Sequence, residues 1–372
     1  MRGHWTLDED VLHLNHGSFG AVPLATQQVQ QHLREEMERN PMAWFRARAE
    51  RLAEVRASVA GFLGVPGPDI ALVPNASSGV STALRAIDPS PDQRLVVTDH
   101  VYGAVRFAVE RTAATSGCAV EVVALPLAAA DAEVVAALGS VMDARTAAVV
   151  VDQVTSPTAK VLPVAEIAAL GRQRGIPVVV DGAHAPGLMD DPVTGDFWTG
   201  NLHKWPCAPR GTAVLYVAPD WQSRVPSPTV SWQESAGFPA SFDIQGTVDD
   251  TGWFAAPTSL ALLAELDFAG RRPGLSAMLD EGAEAIAGAL GERVVDVGAA
   301  APTMRLVSLP GGLLAGGGPV GAVQDRLARQ TGVEVALVRW RDSAFMRVSA
   351  HLYNTPDDYR AAAGRYRQAL RG

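Results

Sequence analysis

Between about residue 70 and residue 217, short apolar runs alternate with alanine-rich helical stretches, and this alternation leaves few folds open. The candidate strands are Leu95-Val96-Val97, Ala119 to Val123, Ala147 to Val151, Val178 to Val180 and Thr212 to Val217. Helical runs separate most of them, for instance Val105 to Thr112 and Ala165 to Gln173. Strands that are apolar along nearly their whole length need cover on both faces, and strand-helix alternation points to a mostly parallel sheet. The expectation is an α/β large domain whose sheet lies between layers of helices.

The flanks read differently. Residues 24 to 39 and 47 to 63 carry apolar residues at helical spacing and read as two amphipathic helices joined around Asn40-Pro41. After the proline-rich stretch 219 to 239, residues 256 to 290 read as long helices, and 303 to 370 as a smaller α+β unit ending in a charged helix. The expected division is an N-terminal helical arm over 1–65, a large domain over 66–255, and linker helices with a small C-terminal domain over 256–372. A chain of 372 residues accommodates one large and one smaller domain. The glycine-rich run 311–318 reads as a loop, and without a strand-to-helix turn before it, it makes a weak phosphate cradle.

Charge and cysteine usage narrow the partners. A net charge of −9 argues against nucleic acid and anionic membranes, both of which require clustered Lys and Arg. A small-molecule substrate is expected instead. Cys118 and Cys207 are too few for a disulfide framework and lack metal-ligand spacing, which suits a reducing compartment. The opening MRGHWTLDED has no apolar signal-peptide core, and no run reaches the length of a membrane span, so the cytoplasm is expected.

The densest chemistry lies in IPVVVDGAHAPG (176–187) and GNLHKW (200–205). An apolar strand ending in Asp181 sets a carboxylate at the carboxyl edge of a parallel sheet, where open α/β folds bind ligands. Of 31 basic residues only Lys160 and Lys204 are lysines, and a catalytic amine cannot be an arginine. Lys160, between Thr-Ala and Val-Leu-Pro, reads as a solvated amine on a surface turn. Lys204 lies in a sparsely charged segment, where desolvation or a nearby cation would lower its pKa and free a nucleophilic amine. On its own, a lysine beside Trp205 is equally an ordinary amphipathic side chain.

Five segments taken together tip this balance: HLNHGSFGAVP, NASSGV, QVTSPTAK, the DGAHAPG and NLHKW pair, and RVSAHLYNTPDD. In this order they resemble the aminotransferase class V family of fold-type I pyridoxal-phosphate (PLP) enzymes, and within it the isopenicillin-N-epimerase-like subgroup. The resemblance runs from about residue 12 to 365. It implies a cofactor held as a Schiff base on Lys204, with Asp181 pairing the pyridine nitrogen and His184 touching the phenolic oxygen. Ser77 and Ser78, at the start of the helical run Val80 to Arg85, would hold the phosphate, a role for which a helix N-terminus is suited. His203 resembles a second phosphate-side contact. Gly246 and Thr247 look like the segment that reaches the neighbouring subunit's phosphate, which implies a homodimer with shared active sites. Tyr102 matches the position that stacks on the ring, with His100 as the alternative, and Ser156 falls where related branches carry a hydrogen-bonding asparagine. Arg347 matches the arginine that grips a substrate α-carboxylate, and Asn15 and His16 would border the substrate pocket.

The resemblance leaves the reaction open between epimerisation, carbon-sulfur lysis of a cysteine conjugate and transamination. Persulfide-forming desulfuration is disfavoured, because the stretch from about 310 to 335 carries no cysteine and Cys207 reads as packing. Two rivals from other classes are a non-catalytic protein that keeps the fold, and a metal hydrolase built from His13, His16, Asp181 and His184.

Overall fold

The computed structural model describes residues 1–310 and 320–369, so the glycine-rich run 311–318 lies outside the described residues. A short strand β1 (Leu12–His13) precedes α1 (Leu24–Arg39) and α2 (Pro41–Leu63). The central segment runs β2 (Ile70–Val73), α3 (Ala76–Ile87), β3 (Arg94–Thr98), α4 (Gly103–Ser116), β4 (Ala119–Val123) and α5 (Asp131–Val141). It continues with β5 (Thr146–Asp152), α6 (Val164–Arg174), β6 (Val178–Asp181), β7 (Phe197–Asn201), β8 (Ala213–Val217) and α7 (Pro219–Gln222). Then follow α8 (Thr251–Glu265), α9 (Phe268–Leu290), β9 (Met304–Ser308), α10 (Val320–Thr331), β10 (Val333–Glu334), β11 (Ala336–Trp340), β12 (Ser343–Ser349) and α11 (Pro356–Ala369).

Seven strands form one sheet in the order β2-β8-β7-β6-β5-β3-β4, and only β8 runs against its neighbours. Along its central strands most side chains alternate between two cores. Val96, Val149, Val151, Val178, Val180 and Trp198 enter one cluster with residues of α2, α5, α6 and α8. Leu95, Val97, Val150, Val179 and Phe197 enter another with residues of α3 and α4. Both faces of the central strands are therefore dry, which is why their sequences show apolar runs rather than alternation. A second, antiparallel sheet of order β11-β12-β9 packs with α9, α10 and α11 around its own core. β1 pairs in parallel with β10, so the start of the chain is joined to this smaller unit. The mostly parallel sheet between helices and the smaller α+β unit match the expected fold class.

Several local readings change. Helix α2 begins at Pro41 rather than 47: Asn40 Oδ1 accepts from Ala43 N at 3.1 Å, and proline at the first helical position needs no N–H partner. β2 and β7 escaped the sequence reading. β7 is FWTGN, whose glycine and asparagine are poor strand formers, yet a Cβ at Gly200 would lie 2.2 Å from the Trp198 ring, so only glycine fits there.

Lys160 is the largest correction. It is fully buried, not solvated, and its Nζ donates to the carbonyls of Ala129 and Val297, each at 2.7 Å. Val161 N and Ala301 N add backbone bonds to Ala299 O and Ala159 O. The lysine thus clamps the loop before α5 and the loop after β5 to the segment between α9 and β9. Burial draws its pKa down, while Asp131, Asp296 and Glu133 pull it back up. Among the described residues no helix is long and apolar enough to cross a membrane.

Replacing Lys160 by Met strands two buried carbonyls, at roughly 1–3 kcal/mol each. The expected outcome is a clearly lower urea midpoint for Lys160→Met, and an unchanged midpoint would contradict the clamp.

Candidate active site

Parallel strands bring residues distant in sequence to one edge of a sheet. Here β2, β3, β5, β6 and β7 end together, and the residues at or just past their ends line a cavity of about 390 Å³. Asn75, Ala76 and Ser77 come from the first edge position, Tyr102 from the turn after β3, Asp152 from β5, Asp181 from β6, and Asn201, His203 and Lys204 from β7. Ser18, Phe19, Ser156, His184 and Arg210 complete the wall.

The start of α3 opens onto this cavity. Asn75 caps the helix, its Oδ1 accepting from Ser78 N at 2.9 Å, while Asn201 Oδ1 accepts from Ala76 N at 2.9 Å. A Cβ at Gly79 would come within 2.2 Å of Thr199 Oγ1, so a glycine lets α3 sit directly on β7. Ser77 faces the cavity; Ser78 lies outside its lining. His203 lines the same end and donates from Nδ1 to Thr212 O at 2.9 Å, which fixes its tautomer. Burial pushes its pKa down to about 4.

Lys204 Nζ lies 3.0 Å from His184 Nε2, and His184 Nδ1 is buried without a partner. Burial is the main cause that lowers the Lys204 amine to about 7, with the Arg347 cation adding to it and Asp181 and Asp152 opposing. Burial also holds His184 well below the usual imidazole range, reinforced by Lys204 and Arg347. The backbone around the lysine is fixed from behind. Gly20 N donates to His203 O at 3.0 Å, and a Cβ at Gly20 would sit 2.3 Å from Lys204 O, so the loop can approach only as glycine. Asp181 Oδ1 accepts from Ala183 N at 2.9 Å; burial raises its pKa, while that N–H and Lys204 pull it back.

Arg347, on β12, is buried behind the wall. It donates to Ser156 O at 2.7 Å, to Ser156 Oγ at 3.0 Å and to Ser18 Oγ at 3.1 Å, two residues that do face the cavity. Burial lowers its pKa to about 10, leaving it a cation at neutral pH.

Two residues expected to border the substrate pocket take other partners. Asn15 and His16 lie outside the cavity lining. Asn15 Oδ1 accepts from Ser18 Oγ at 2.7 Å, and buried His16 donates from Nε2 to Lys204 O at 3.0 Å while its Nδ1 accepts from Tyr353 Oη at 2.9 Å. His16 supports the lysine from beneath. His100 is likewise buried away from the cavity, bonded to Thr158 Oγ1 and Leu125 O. Gly246 and Thr247 are exposed and outside this chain's cavity. The four residues of the metal-hydrolase rival do not converge, since His13 contacts Asp8 O and His16 contacts Tyr353. Cys207 is buried, and burial pushes its thiol up, away from the reactive thiolate.

Asp152, Ser18, Phe19, Asn201 and Arg210 were not singled out in the sequence. For Asp152 a signal existed: Val-Val-Val-Asp occurs at both 149–152 and 178–181, closing two strands the same way.

Comparisons with known proteins bear on this geometry. The family model described as Aminotransferase class-V matches residues 21–361. Isopenicillin N epimerase of Streptomyces clavuligerus is 29% identical over 96% of this chain and 94% of its own length. Putative L-cysteine desulfhydrase 1 of Oryza sativa subsp. japonica is 28% identical over 77% of this chain and 62% of its own. Among solved structures, a C-DES mutant with glycine covalently linked to the PLP cofactor superposes with a TM-score of 0.83 at 18% identity. That match covers 99% of both chains. The fold and a family match over nearly the whole length lead to one conclusion: the chain belongs to the aminotransferase class-V family.

Proposed function

We propose that this chain is a PLP-dependent enzyme that acts on an amino-acid substrate by moving the proton at its α-carbon, as an isopenicillin-N-epimerase-like enzyme would. The observation that carries the reading is the Lys204 amine, brought to about 7 and set in one cavity with Asp181, with Arg347 braced behind the wall. The donor set suits PLP. The N-terminus of α3 with Ser77, together with His203, offers an anion site; Asp181 is an acid for a ring nitrogen; the unpartnered Nδ1 of His184 marks a polar group without a protein partner.

When bound, PLP supplies an electron sink for the pair left by a broken bond at the α-carbon. The chain's own residues do the rest. Lys204 provides the anchoring amine and is the group placed to carry the α-proton, since its pKa lies close to working pH. Asp181 would pair with the ring nitrogen of the bound group and favour its protonated form. Arg347 presents a guanidinium fork suited to a planar carboxylate, and the two serine hydroxyls it now holds are exchangeable partners. Tyr102, 43% exposed on the cavity wall, is the group for the second face that inversion requires.

Carbon-sulfur lysis is the second reading, favoured by the desulfhydrase relative and by the fact that elimination needs one base only. We further propose a cytoplasmic homodimer in which exposed Gly246 and Thr247 complete the partner's phosphate site.

Two measurements test this. PLP uptake by the apoprotein requires the neutral amine, so its rate should rise with pH around a midpoint near 7; a midpoint near the ordinary lysine value of about 10 would remove the desolvated amine. A panel of amino acids and cysteine conjugates in deuterated water should give α-deuteration with inversion. Thiol and pyruvate release would transfer the assignment to the lyase, and no deuteration of any substrate would defeat both.

A further inference from the structure

Asp152 has no part in the reading above, yet its setting is unusual. β5 and β6 are adjacent, parallel and in register, so Asp152 and Asp181 are partners across the strands. Val150 and Val179 enter one core, and their neighbours on either side enter the other. The two-residue period therefore puts both carboxylates on the same face, at the same edge, lining the same cavity. Each accepts one backbone N–H: Asp152 Oδ1 from Tyr102 N at 3.2 Å, Asp181 Oδ1 from Ala183 N at 2.9 Å. Asp152 Oδ2 is buried and has no partner.

An ionised carboxylate with an unpaired oxygen, next to a second carboxylate, is an expensive state, and a neutral carboxyl there costs much less. Asp181 lies beside Asp152, and the other titratable or charged groups lining the same cavity are His184, His203, Lys204, Arg210 and Tyr102. We propose that Asp152 and Asp181 form an acid pair that holds one proton, with Asp152 keeping it as a neutral positioning residue. In that form it accepts from the Tyr102 backbone and leaves Asp181 as the single negative charge toward the ring nitrogen. Burial and Asp181 both push Asp152 well above the usual carboxylate range, in agreement. Only the last clause, on the ring nitrogen, rests on the PLP reading.

Infrared difference spectra of the apoprotein at neutral pH, wild type minus Asp152→Asn, test the pair without cofactor. A protonated-carboxyl stretch lost in the variant is expected; loss of an ionised-carboxylate band instead overturns the proposal. If the variant does not fold, carbon NMR of wild-type protein labelled at the aspartate carboxyl carbons decides. A resonance still protonated at neutral pH supports the pair, and complete ionisation of all aspartates overturns it. With PLP, Asp152→Ala removes the acceptor for Tyr102 N and should weaken cofactor binding about fivefold, the size of one lost hydrogen bond, while Asn restores it. Equal weakening by Ala and Asn contradicts the positioning role. Wild-type protein that binds no PLP counts against the cofactor reading and leaves the infrared result to judge the pair.

Discussion

A primary amine pressed out of water near one guanidinium and a pair of buried aspartates is the interaction around which this site is arranged. Burial and Arg347 drive Lys204 toward its neutral form, and the negative charge kept by the aspartate pair, chiefly at Asp181, resists. Each unit of pKa is about 1.4 kcal/mol, so small changes in burial or in either carboxylate move the amine across neutrality. The site therefore depends on rigid placement, and the fold supplies it. Three of the groups sit at or just beyond the ends of adjacent strands whose side chains are locked into dry cores on both faces.

The fourth group comes from elsewhere. Arg347 lies on the antiparallel sheet of the smaller unit and reaches the cavity wall only because that unit is fastened to the large one. The fastening is polar as well as apolar. Lys160 ties the loops around α5 and β5 to the segment at Val297, His16 links Tyr353 to the Lys204 carbonyl, and Ser18 joins Asn15 to Arg347. Residues that read as substrate contacts or as solvated surface thus act as supports. That division explains why the loop Asn15 to Gly20 combines a buried histidine with Phe19, 68% exposed on the cavity wall.

What could be read from the sequence follows from how local each signal is. Apolar strands announce a sheet buried on both faces, so β3, β5, β6 and β8 were legible, and β4 was read from its β-branched run although this edge strand is mostly exposed. β7 was not, because its Gly and Asn obey a tertiary requirement: Trp198 lies where a Cβ at 200 would go. Asp181 was legible because an apolar strand that ends in a carboxylate marks a ligand-binding sheet edge, Lys204 and Ser77 were assigned through the family resemblance, and the cavity brings the three together. Asp152 was missed although it closes the same Val-Val-Val-Asp motif as Asp181, since its partner is defined by strand register and not by sequence distance. Lys160 was misread because a buried amine satisfied by two carbonyls leaves no trace in its flanking residues.

The central claim is that Lys204, and no other amine, bonds the coenzyme opposite Asp181. The chain contains two lysines, which makes the assignment unusually clean. Borohydride reduction of the PLP-loaded protein followed by peptide mass mapping tests it most directly. The account requires one stable phosphopyridoxyl adduct on the peptide containing Lys204; an adduct on Lys160 or the amino terminus, or none at all, would contradict it.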